Sequence, residues 1–512
     1  MNQRAMWLSL FWKEWRERRW ELASLAAILA AVPLAVAFDD PRSVSFAIEA
    51  TLFPYIVIAS FFLGSSVAAG EETRSTAGFL RALPAPGWQP ALVKLVLAVT
   101  AAAVPILLVA GGVSLFSTYW EWIHPGDTNG LLGSTGASPF WDGPTGVTLA
   151  PILGALSLII WAAAWGVGRK GEVEAGAWAV AAIMGAAVTA GVVVDALKGG
   201  GQQPESLAAL AVTSAAPAGV VFSLAAVFER FDNLSTVANV SRLGIVALCA
   251  VASHGLLIRR FLQRFAVNTP DGRKIAAASQ ESSAVPWLGS PRKSPMAAIL
   301  WKQVRETLPV CAIGLSVFLV FGVVLSLKQS HRPFVEMFSD FVTTFGPVVG
   351  VLVAIVAGIG SFLDDLSPGL HTFWRSRPVR VDQWYWTKFF AGLGVPLVVM
   401  VAVTGGAVLL QQLPISGGRR LEFWGIDSPL FWSSMLQTMT YCGAVAAVCL
   451  VRRPLYAAVF ASSAWVLVYL LVATWEVIPY TAAGVGWLTA ILSIGCAVAG
   501  WQALRHDIGW QR

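Results

Sequence analysis

The residues able to do chemistry in this 512-residue chain are few and gathered in islands. Five histidines (His124, His254, His331, His371, His506) are scattered without metal-ligand spacing. Of these, His254 falls inside an apolar run. It reads as a helix-packing hydrogen bond or, alternatively, a functional polar group. The five cysteines (Cys249, Cys311, Cys442, Cys449, Cys496) lie in apolar stretches and form no C-x-x-C pair, as expected of small buried hydrophobes. The run from Gly166 to Gly171 fits G-x-G-x-x-G, yet it closes an apolar helix and no strand precedes it. Glu172 stands where a P-loop would carry its lysine. The chain is therefore expected to hold no metal or cofactor, to bind no nucleotide by these routes and not to be an enzyme.

The charged islands carry more. Trp12-Lys13-Glu14-Trp15-Arg16-Glu17 and Trp301-Lys302-Gln303-Val304-Arg305-Glu306 share W-K-x-x-R-E at an offset of 289 residues. Each precedes a long apolar run. In the first copy Trp7, Phe11 and Trp15 recur every fourth residue, with Lys13, Arg16 and Arg18 elsewhere. That pattern predicts an amphipathic helix lying in the membrane interface, with Glu14 and Arg18 as an i,i+4 pair. A second correspondence, at an offset of 294, aligns Phe79-Leu80-Arg81-Ala82-Leu83-Pro84 with Phe373-Trp374-Arg375-Ser376-Arg377-Pro378. The same offset pairs Glu71 with Asp365, Gln89 with Gln383 and Lys94 with Lys388. Arg169-Lys170 and Arg452-Arg453 form a third, shorter match. Order and near-constant spacing predict an internal repeat.

The elements that must position these islands are membrane helices. Hydrophobic residues make up 56% of the chain and charged residues 12%, which excludes a soluble enzyme, a disordered scaffold and a disulfide-rich secreted domain. Thirteen uncharged runs are about long enough to span a bilayer, and they lack strict alternation. The run Ser206–Phe228 carries a break at Pro217-Ala218-Gly219. Reading it as a re-entrant or outer-face hairpin places both termini and most of the 35 basic residues in the cytoplasm. The fold expected is all-α and polytopic, with about 12 transmembrane helices in two tandem six-helix repeats, each led by an interfacial elbow helix. The expected division is a first half over 1–262, a cytoplasmic linker over 263–295 and a second half over 296–512. No cleavable signal peptide is expected, because Lys13 to Arg16 interrupt any early apolar core. The net charge of +6 belongs to cytoplasmic loops and implies no nucleic-acid partner.

An acidic pair leaving helix two, then Thr73, then F-L-x-x-L-P and a lysine on the next helix resembles the permease subunits of type-2 ABC transporters. The resemblance implies a coupling helix between helices two and three that contacts ATP-binding subunits, two in number, which would hold the ATP and magnesium. The coupling residues it implies are Glu71, Glu72, Arg81, Pro84 and Lys94, with Asp364, Asp365, Arg375, Pro378 and Lys388. The elbow helices it implies carry Trp12, Lys13, Arg16 and Glu17, and Trp301, Lys302, Arg305 and Glu306. The second copy departs from the pattern in having Asp364-Asp365-Leu366 for Glu-Glu-Thr. Export across a bacterial cytoplasmic membrane is what the family implies. A secondary carrier of two six-helix halves and a non-transporting membrane scaffold are the alternatives. The scarcity of ionisable groups within the runs argues against ion-coupled transport.

Overall fold

In the computed structural model the chain divides into two compact units, Met1–Pro270 and Asp271–Arg512. The structure describes residues 7–16 with scattered positions up to 30, then 44–73, 86–123, 144–169, 172–199, 206–228 and 236–267. In the second unit it describes 294–328, 333–366 except 364, 379–412, 428–462 except 453 and 455, and 482–506.

All regular structure among the described residues is helical. The first unit contains α1 (Val44–Thr73), α2 (Trp88–Ile123), α3 (Pro144–Gly166) and α4 (Glu172–Gly199). These are followed by the short helices α5 (Leu207–Ala215) and α6 (Gly219–Phe228), and by α7 (Thr236–Val267). α1 and α3 lie side by side, with α4 against both and α7 packed on α3 and on the α5–α6 hairpin. Close approach of α1 and α3 depends on Gly64, where a Cβ would sit 2.5 Å from Ala162 Cβ. The second unit contains α8 (Pro295–Lys328), α9 (Phe334–Phe362), α10 (Val381–Gln411), α11 (Pro429–Val451) and α12 (Ala482–Arg505). α9 is its centre, packed against α8, α10 and α11, and α12 covers α11. Gly346 and Gly350 let α9 approach its neighbours closely. Thr404 Oγ1 would lie 3.3 Å from a Cβ at Gly346, and Gln437 fills the space beside Gly350.

The helix count differs from the expectation of about 12 spans in two six-helix repeats. Among the described residues eight helices are long and apolar enough to cross a membrane, or nine if the bent pair in α9 is one span. That pair, Phe334–Pro347 and Val349–Phe362, bends by 41° where Pro347 interrupts the backbone ladder. Ser206–Phe228 contributes no span because it is broken into α5 and α6. The apolar part of α1 reaches only Tyr55–Ala69 by the same measure. Leu22–Phe38 and Pro454–Trp475 lie largely outside the described residues.

The second elbow also differs. Trp301, Lys302, Arg305 and Glu306 sit in α8 itself, continuous with the apolar stretch that follows, rather than on a separate interfacial helix. No helix breaker separates Glu306 from the span, and Pro309 falls where membrane helices tolerate it.

The α5–α6 break falls where the sequence places it. Ala218 has φ +56°, a left-handed conformation rare for a residue with a Cβ. At Gly219 a Cβ would run into the Thr213 carbonyl, so the turn needs glycine there. Ser206 caps α5, its hydroxyl accepting from the Ala209 N–H at 3.3 Å.

Candidate functional site

In each unit a buried lysine near the start of the helix after the long polar loop is tied to a carboxylate. Lys388 lies in the second turn of α10 and is 2% exposed; Asp365, three residues beyond α9, is equally buried. Lys388 Nζ donates to Asp365 Oδ2 in a short contact, and Lys302 Nζ of α8 donates to Oδ1 at 3.0 Å. Lys302 also lies 3.7 Å from Glu306, one turn along α8. Two lysines and two carboxylates thus form an electroneutral network joining three helices. Phe362 and Trp384 flank Lys388, each ring centroid 5.5 Å from Nζ. This is a pairing a buried ammonium requires. Burial alone would raise the Asp365 carboxyl, but the Lys388 and Lys302 ammoniums outweigh it and hold the group below the usual carboxylate range.

A neutral network extends from this cluster into the unit. Gln303 Nε2 donates to Ser361 Oγ at 2.7 Å and to Thr307 Oγ1 at 2.9 Å. The Tyr441 hydroxyl donates to the Phe389 carbonyl at 3.1 Å, and that of Tyr385 to the Ala497 carbonyl at 2.7 Å. Trp501 Nε1–H donates to Asp382 Oδ1 at 2.7 Å, close to the N-terminus of α10 where a carboxylate is favoured. These bonds tie α8 to α9, α11 to α10, and α10 to α12.

In the first unit Lys94 of α2 pairs with Glu14 at 2.9 Å, both 4% exposed. The helical segment 7–16 reaches this position because Trp7, Leu10 and Glu14 fall on one face. Leu10 packs with Val93 and Leu97, and Trp7 meets Trp88 at 5.9 Å between centroids. Leu8, Phe11 and Trp12 remain exposed on another face. The segment is amphipathic, but its apolar residues divide between α2 and an outer surface. Glu14 accepts from Lys94 and, at 3.5 Å, from Lys13, while Arg18, its expected partner along the segment, lies outside the described residues. Glu14 is the partner of Lys94 that sequence reasoning did not name. Its spacing of seven from Trp7 and four from Leu10, on the buried face, is the signal that marks it.

Of the remaining expected site residues, Trp12 and Arg16 are exposed, and Arg305 lies 5.0 Å over the ring of Trp301. Glu71 and Glu72 fall in the last turn of α1, and their side chains lie outside the described residues. Glu17, Arg81, Pro84, Asp364, Arg375 and Pro378 also lie outside them. The structure thus brings Asp365, Lys388, Lys302 and Glu306 together in one unit and places Lys94 on Glu14 in the other.

The other sequence candidates resolve as packing. His254 Nδ1–H donates to the Ala250 carbonyl at 2.8 Å, which leaves Nε2 to accept from Ser157 at 2.8 Å. Ser157 Oγ in turn accepts from the Ala218 N–H at 2.9 Å. Of the glycines of the 166–171 run, Gly166 ends α3 and Gly168 follows in a turn at φ +86°, while Gly171 lies outside the described residues. Among the described residues no three His, Cys, Asp or Glu side chains converge to hold a metal ion. The five cysteines are free thiols.

No protein-family model and no curated protein matches the chain. Fold and composition define a polytopic, largely helical integral membrane protein with several apolar spans.

Proposed function

We propose that the chain is the membrane permease of an ATP-driven exporter, moved by separate ATP-binding subunits. The observation that carries this reading is the position of the Asp365–Lys388–Lys302 network. Asp365 stands at the root of the polar segment between α9 and α10, with Lys388 on α10 and Lys302 on α8. A partner pressing on that segment would act on three helices at once, because displacing Asp365 would strand the buried ammonium of Lys388 and release Lys302 of α8. Glu14–Lys94 couples the N-terminal segment to α2 in the same manner. The two islands related by the 294-residue offset would be the docking segments, with Glu71, Glu72, Arg81 and Pro84 in one and Arg375 and Pro378 in the other. Both would face the cytoplasm on the positive-inside reading. The driving force would come from hydrolysis on the partners, so this chain itself would be no enzyme and would need no ion-binding carboxylate at depth.

The test is reconstitution. A P-loop ATPase should be encoded beside this chain, and on co-expression the chain should co-purify with that subunit and raise its ATPase rate in proteoliposomes. Glu71→Lys/Glu72→Lys should abolish the stimulation while the purified membrane chain keeps its thermal stability. Transport driven by an imposed ion gradient without ATP would overturn the proposal.

A further inference from the structure

Three arginines crowd the end of α7: Arg259, Arg260 and Arg264. Like charges at i,i+4 repel along a helix, and among the described residues none of the three meets a carboxylate. The Arg260 guanidinium lies over the Trp165 ring of α3, 3.8 Å from its centroid. Its Nε–H is buried and makes no hydrogen bond, and the indole N–H groups of Trp165 and of Trp161, one turn earlier, are likewise buried without an acceptor. Orphaned donors of this kind carry the full cost of their desolvation, which an acceptor-rich ligand would relieve. The surface leading to them is apolar. Leu248, Val251 and Leu256 are 69%, 72% and 66% exposed and follow one another at helical spacing toward exposed Arg259.

We propose that this end of α7 and α3 binds the headgroup of one anionic phospholipid. Its phosphodiester takes the guanidinium donors of Arg260 and Arg264, and an acyl chain lies along Leu256, Val251 and Leu248. The planar fork of arginine suits phosphate oxygens, and its stacking on Trp165 fixes the fork in place. Uncompensated positive charge selects an anionic headgroup over a zwitterionic one. The apolar strip selects a lipid over free phosphate. The inference rests on placement in a membrane alone and does not depend on the transport reading.

Native mass spectrometry of the detergent-purified chain tests it, with dioleoyl phosphatidylglycerol, dioleoyl phosphatidylcholine and inorganic phosphate as probes. Phosphatidylglycerol should be retained at least tenfold more strongly than phosphatidylcholine, and millimolar phosphate should not displace it. Arg260→Gln/Arg264→Gln should lose that preference, whereas Arg505→Gln in the other unit should keep it. Arg260→Lys, which retains charge but not the fork, should fall between and shows that the effect is not misfolding. Equal retention of the two lipids would overturn the proposal, as would full retention by the double glutamine variant or displacement by phosphate.

Discussion

Replacing Asp365 with asparagine removes one charge from a network that has nowhere to hide the others. Lys388, with a side chain 3% exposed, would be left in an apolar pocket between Phe362 and Trp384. Breaking a buried ion pair by removing one partner costs about 3–5 kcal/mol. For a unit of this size each kcal/mol is worth about 2–4 °C, so the melting temperature should fall by about 10 °C. Lys388→Met should cost less, about 2 kcal/mol, because Asp365 keeps Lys302 at 3.0 Å. Lys302→Met should cost under about 1 kcal/mol, since that side chain is 41% exposed and water replaces what is lost. In Asp365→Asn/Lys388→Met both charges are gone, and the double variant should be more stable than the sum of the singles predicts by about 2 kcal/mol. Thermal unfolding in detergent, followed by tryptophan fluorescence, reads all four. A pH series adds a signed check. Because Lys388 and Lys302 hold the Asp365 carboxyl below its unfolded value of about 3.9, its contribution is complete above that value. It fades as pH falls from there through the depressed native value, and Asp365→Asn should lack that part of the acid loss. Equal effects from Lys388→Met and Lys302→Met, or strict additivity in the double variant, would refute the reasoning.

Two further outcomes follow from the packing. Ser157→Ala removes the acceptor of the Ala218 N–H and the donor to His254, which should loosen the α5–α6 turn by about 1–3 kcal/mol and speed amide exchange at Ala218; an unchanged exchange rate there would mean the hydroxyl does not hold the turn. Gly358→Leu should destabilise the second unit by about 1–3 kcal/mol, because even a Cβ would lie 2.9 Å from Ala444 Cβ, while Gly394→Ala, with open space around it, should leave the melt unchanged.

The apolar runs and the break at Pro217-Ala218-Gly219 were legible in the sequence, for one physical reason. Each is a local departure from a surrounding pattern: a charge-free stretch or a helix breaker. The number of spans was not legible to the same degree. Hydropathy weighs residues one stretch at a time, whereas α5 and α6 stop short because Ala218 and Gly219 turn the backbone onto Ser157. The continuity of Trp301–Glu306 with α8 was also hidden, because charged residues in the first turns of a helix resemble those on an interfacial one. Pairing partners were hidden further still. Glu14 reads from the sequence as the i,i+4 partner of Arg18, and its contact with Lys94 follows only once Trp7 and Leu10 seat segment 7–16 on α2. Which carboxylate meets a lysine depends on helix rotation, and rotation is set by Trp7 and Leu10 on α2 rather than by the charges.

The exchange between Glu14 and Asp365 also explains a sequence difference that otherwise looks arbitrary. In the W-K-x-x-R-E islands the position held by Glu14 in the first copy is held by Gln303 in the second. A second carboxylate at Gln303 would stand among Ser361, Thr307 and the residues that already supply Asp365 to Lys388. Two acids would then face the ammonium of Lys388 and the half-exposed one of Lys302, and one of them would be driven to take up a proton. Glutamine keeps the size and the hydrogen bonds and leaves the charge balanced. Conversely, Lys94 draws its carboxylate from the N-terminal segment, which fixes that segment to α2. In each unit a buried lysine meets a carboxylate, and among the described residues that carboxylate lies on segment 7–16 in the first and just beyond α9 in the second. A force on the polar segment after α9 reaches α10 through Asp365 directly. In the first unit Glu14 joins segment 7–16 to α2 through Lys94, so Glu14→Gln should speed amide exchange over residues 7–16, and unchanged exchange there would refute the role given to the pair.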